Sequence, residues 1–110
     1  MKPETEYQRL IEKRGISLQC FGIADVALSR TDAMLAVNLL QNAAIPILGG
    51  DVYFKTETGI EVAYANWHSD PADGEDRNSF VIRSCLDTKN YIEKFPSTEA
   101  APIFALVIDI

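Results

Sequence analysis

Histidine is almost missing from this chain and cysteine is scarce: His68 stands alone, and Cys20 and Cys85 lie far apart with no further Cys or His at ligand spacing. That excludes the common zinc signatures and a disulfide framework, and leaves two reduced, buried thiols as the expectation. Basic residues are also in deficit, 10 Lys and Arg against 16 Asp and Glu, for a net charge of −6. A surface of that sign repels phosphate backbones and anionic lipid, so it argues against nucleic acid and membrane as charge-driven partners, whereas a basic protein fits. No run approaches the roughly 20 apolar residues of a membrane span. The opening Met-Lys-Pro-Glu-Thr-Glu lacks the apolar stretch of a signal peptide, so the expected compartment is the cytoplasm. Internal repeats, low-complexity segments and specific catalytic or ligand motifs are lacking as well.

What is present suits one domain spanning residues 1–110. The apolar fraction is 47% and the charged fraction 24%, values of an ordinary globular protein rather than a disordered tail. A chain of this size buries about two thirds of its unfolded surface, enough for one core.

Tyr7, Leu10 and Ile11 recur at helical spacing between Glu4 and Arg14, with Lys13 and Arg14 late, as the helix dipole prefers, and Gly15 as the stop. Ile16 to Cys20 alternates apolar and polar, which predicts a short strand. Ser29 and Asp32 form a capping pair for a helix running to Asn42. Its stripe is Ala33, Val37, Leu40 and Ala44, with Leu35 and Leu39 beside it. Pro46 forbids its continuation.

Ile45 to Phe54 is the stretch on which the rest is organised. Gly49-Gly50 sits between two strand-like runs rather than before a helix, so it predicts a bulge or kink and not a phosphate cradle. Glu57-Thr58-Gly59 reads as a hairpin turn. Val52 and Phe54 are expected to share the core face with Ile60, Val62 and Tyr64, leaving Asp51, Tyr53, Lys55 and Glu61 on the other. A polar loop, Asn66 to Asp76, carries Trp67, His68 and four acids. A helix over Arg77–Phe95 follows, with a seam of Val81, Cys85, Thr88, Ile92 and Phe95, and then an apolar strand over 103–109 that belongs inside a sheet covered, at least in part, on both sides. The expected fold is α+β: a small mixed sheet, made of the hairpin, the C-terminal strand and a short N-terminal edge strand, packed with about three helices. The hairpin, 45–54 and 60–65, should pair with the C-terminal strand.

Three chemistries compete for the polar residues. Cys20 or Cys85 with His68 would give a thiolate its base, but Cys85 sits on an apolar stripe. Asp70, Asp73, Glu75 and Asp76 offer oxygens to a divalent cation, yet lack the regular Asp-x-Asp-x-Asp-Gly spacing, and an acidic cluster before a helix also complements its dipole. No metal and no cofactor is therefore expected. The same acids suit a basic partner. Trp67 reads either as core or as an interface anchor.

The run Ala27-Leu28-Ser29-Arg30-Thr31-Asp32-Ala33, then Leu39-Leu40, then Ile45-Pro46-Ile47-Leu48-Gly49-Gly50-Asp51-Val52-Tyr53 and Asn66-Trp67 resembles one family of bacterial polymorphic-toxin immunity proteins, numbered forty among them. The resemblance runs from about residue 15 onward and includes neither the Cys and His residues nor the acidic loop. It implies a non-catalytic protein that binds and occludes a cognate toxin. Nuclease toxins have basic clefts, which an acidic inhibitor complements. Asp51, Tyr53, Glu61, Trp67, Asp70, Asp73, Glu75 and Asp76 are the expected partner-binding residues. Lys55 and Glu57 near the hairpin edge discourage self-pairing, so a monomer is expected before toxin binding. An adaptor unrelated to toxins, or a small Cys/His or carboxylate enzyme, is the alternative.

Overall fold

A computed structural model of the protein describes residues 3–109. The elements run α1 (Pro3–Arg14), β1 (Ile16–Ser17), a 3-10 turn (Gln19–Phe21), β2 (Val26–Ser29), α2 (Arg30–Asn42), β3 (Ile47–Thr56), β4 (Gly59–His68), α3 (Arg77–Lys94) and β5 (Ala101–Ile108). The fold is α+β, with one five-stranded sheet in the order β1-β2-β5-β3-β4. All four pairings are antiparallel, where a mixed sheet was expected.

The ends of α2 follow from its sequence. Ser29 Oγ accepts from the Asp32 N–H at 3.3 Å, capping the start. At the other end Ala44 turns left-handed (φ 57°), so that its N–H reaches the Gln41 carbonyl at 3.0 Å and the Ile45 N–H reaches the Leu40 carbonyl at 2.9 Å. This pair of bonds closes the helix before Pro46. Ala33, Ala36, Val37 and Leu40 are buried, as is the α3 seam of Val81, Cys85, Thr88 and Ile92. Leu35, expected beside the buried stripe, is exposed. Arg30 ties the helices together: its guanidinium donates to the carbonyls of Ile92 and Phe95 at the C-terminal end of α3, and to Ser97 Oγ.

The predicted strand over Ile16–Cys20 stops after two residues. The Phe21 N–H bonds the Leu18 carbonyl at 3.0 Å and the Leu18 N–H the Asp25 carbonyl at 3.2 Å, while Gly22 turns left-handed. The chain therefore doubles back as β2, a strand too short to show a period, and Cys20 ends up exposed rather than buried.

β5 lies between β2 and β3, as its two-sided apolarity predicted. Phe104 and Leu106 face the helices and join the main core. Ile103 and Ala105 face the other way, into a small second core with Leu18, Ala27 and Tyr53 that the 3-10 segment roofs. The roof covers only part of that outer face.

The hairpin pairs as expected with β5, but its inner register differs. Only Glu57 and Thr58 form the turn, so Thr56 pairs with Gly59. Counting Gly59 in the turn would pair even residues with even; the two-residue turn pairs even with odd, and such a slip reverses every side chain. Ile60, Val62 and Tyr64 thus face away from the helices, with Tyr53 opposite Val62, while Glu61 lies opposite Phe54 on the helix side. A second irregularity follows. Val52 pairs with Ala65 and Tyr53 with Val62, leaving Ala63 and Tyr64 as a bulge.

Candidate partner-binding surface

The acidic loop after β4 is organised by a residue that sequence reasoning passed over. Arg83, on the second turn of α3, donates to both Glu75 oxygens, at 2.8 and 2.9 Å, and to the Asp70 carbonyl at 2.5 Å, with Asp87 at 3.6 Å. Its guanidinium also lies over the Phe80 ring. The bond from Arg83, then that from the Ala72 N–H, hold the Glu75 carboxyl down at about 2. Asp76 caps α3, its Oδ1 accepting from the Ser79 N–H at 2.8 Å. Of the four loop acids, Glu75 and Asp76 are therefore spent on the fold, whereas Asp70 and Asp73 are exposed. The only sequence hint of Arg83's role is its i,i+4 spacing to Asp87.

The other expected site residues separate onto two faces. Trp67 points to the helix side, half-buried: its ring stacks on Tyr91 with centroids 4.6 Å apart, and its indole N–H donates to Thr88 Oγ1 at 3.0 Å. Glu61 is exposed at the edge of that same face. Tyr53 is on the outer face but 7% exposed, with Phe21 stacked on it at 5.5 Å. Asp51 is on the outer face and exposed, directly across from Asn66. His68 continues that face and lies 3.8 Å from Asp70.

The outer face also holds a residue that the sequence placed in the core. Tyr64 is 93% exposed and left-handed (φ 56°) within the β4 bulge. Asp51, Tyr53, Val62, Tyr64 and Asn66 line a hollow of about 280 Å³, and a second of about 250 Å³ shares Asp51 and Asn66 and runs to His68 and Val107. Both are below the ~300–1,000 Å³ of small-molecule sites, a size that suits single side chains better than a substrate.

Catalytic arrangements find little support. Burial pushes the Cys85 thiol up, opposite to what a nucleophile needs, and its Sγ sits 4.0 Å from the Ile45 carbonyl. Among the described residues no three His, Cys, Asp or Glu are grouped to hold a metal ion, and no helix is long and apolar enough to cross a membrane.

Residues 17–108, everything from the end of β1 to the end of β5, match the family described as Immunity protein 40. The chain belongs to that family. Membership implies an immunity protein directed against a toxin and points to a non-catalytic inhibitor. No curated protein and no solved structure matches the chain. Within the family match fall the α2 cap, both glycines of β3, the β4 bulge and the Arg83 cluster; α1 lies outside it.

Proposed function

We propose that this immunity protein acts in the cytoplasm as a monomer and neutralises a basic toxin domain, such as a nuclease, by covering its substrate cleft without catalysis. Family membership supplies the toxin, and the charge supplies its sign: 16 acids stand against 10 bases. Asp51, Asp70 and Asp73 are exposed near the end of the hairpin where the Ser69 N–H bonds the Leu48 carbonyl at 2.9 Å. Such charges accelerate encounter with a basic cleft. Of the eight residues expected to bind the partner, these three carry the proposal; Glu75, Asp76, Trp67 and Tyr53 act through the fold, and Glu61 lies on the opposite face. Co-expression with its cognate toxin domain tests the reading: growth is restored if it holds, and unrelieved toxicity with both proteins present rejects it.

A further inference from the structure

The geometry points to the hollow between Asp51, Tyr53, Val62, Tyr64 and Asn66 as the seat of an arginine or lysine side chain of the toxin, held between the Asp51 carboxylate and the Tyr64 ring. The identity of the partner rests on the proposed immunity function; the cation seat is argued from the outer face alone.

Tyr64 is the first observation. A tyrosine ring left 93% exposed gains little from burial, and a non-glycine residue at φ 56° is held in a sparsely populated conformation. Folding benefits from neither. The bulge that imposes both also re-aims the ring outward beside the hollow, which is what bulges near binding sites do.

Charge is the second observation. Asp51 faces Asn66 across the ladder, so the two side chains stand side by side on one rim, a carboxylate and an amide. The Tyr53 phenol on the same face is pushed up, first by burial and then by the Asp51 and Asp25 charges, and Asp51 is the one charged side chain among the described residues lining the hollow. Lys55 on the same face lies nearer the turn and lines a different hollow with Ala101 and Ile103. A carboxylate, an amide oxygen and a phenol face around one hollow match a guanidinium or ammonium group, whose stem would lie along Val62.

A second copy of the chain is the competing occupant, adding its own β4 to the free edge of this one. The unpaired Ala63 and Tyr64 interrupt that edge in mid-strand, as natural sheets do to prevent such pairing.

Titration of the isotope-labelled full chain with a blocked tri-arginine peptide, followed by amide chemical shifts, tests the seat without any toxin. Saturable shifts at 51, 53, 62 and 64–66, lost in Asp51→Asn and in Tyr64→Ala and absent with a tri-citrulline control, are expected. Shifts confined to the 70–76 loop, or no shifts, overturn the seat, and so does a concentration-dependent dimer in which residues 59–68 carry the contact. The second arm measures affinity for the cognate toxin domain. Tyr64→Ala weakens binding about 30-fold, as an interface anchor does, while Glu61→Gln, exposed on the opposite face, changes it less than about threefold. If the wild-type chain does not bind that domain, the immunity reading fails and the peptide arm still decides the seat. Equal binding by wild type, Asp51→Asn and Tyr64→Ala refutes the seat and leaves the immunity reading intact.

Discussion

Trp67 lies across Gly50: the two are paired residues of β4 and β3, and a side chain at position 50 would collide with the indole ring and with the Ala105 carbonyl. The glycine leaves the space in which the ring reaches Tyr91 and Thr88. Gly50→Ala therefore costs about 3 kcal/mol through overpacking in the middle of the sheet. Urea denaturation followed by tryptophan fluorescence measures it, and a cost under about 0.5 kcal/mol would show that the strands part easily here.

Substitutions at Trp67 itself separate packing from binding. Trp67→Phe keeps an aromatic stack but leaves the Thr88 hydroxyl without the indole donor, for a loss of about 1 kcal/mol, whereas Trp67→Ala loses about 3–5 kcal/mol. Calorimetry reads both. Full stability in Trp67→Ala would mean that the ring is held for a partner instead.

At the C-terminal end of α2, Ala44 occupies the left-handed position that glycine usually takes. Relief of the Cβ clash outweighs the added freedom of the unfolded chain, so Ala44→Gly raises stability by about 1 kcal/mol. A rise in the thermal midpoint of several degrees checks this; a fall would contradict the helix-end geometry.

Glu75 gives the fold an acid-sensitive point. Its carboxyl is lowered from the ordinary 4.5 to about 2, so the pair with Arg83 stabilises the fold above pH 4.5 and is lost as pH falls toward 2. Wild type should melt above Glu75→Gln at about pH 6, with the gap closing by about pH 2 and narrowing in high salt. Asp73→Asn, at an exposed position, should melt like wild type throughout. A gap that persists in strong acid would mean that the Glu75→Gln change destabilises the fold for some reason other than charge.

Local chemistry made much of this fold legible in the sequence. The Ser29 cap, the stop at Pro46, the α3 seam, the two-sided β5 and the kink at Gly49 each depend on a few neighbouring residues, and each is observed. The family was legible for the same reason, since its motif consists of short runs of neighbouring residues, 45–53 the longest. What was not legible depends on contacts far apart in the chain. β2 has four residues and takes its place from β1 and β5. One residue's difference in turn length decided the faces of β4 and carried Tyr64 from expected core to open surface. Arg83 looked like one more exposed helical charge until the loop folded onto it.

Hydrogen exchange compared between the free chain and its complex with the cognate toxin domain tests most directly whether the outer face binds the toxin. β4 is the edge strand, so its outward amides exchange readily unless something covers them. Slowed exchange over 62–66 together with the 68–73 segment is expected in the complex. Protection confined to α2 and α3 around the exposed Leu35, Ile82 and Leu86, with 62–66 unchanged, would contradict an outer-face interface.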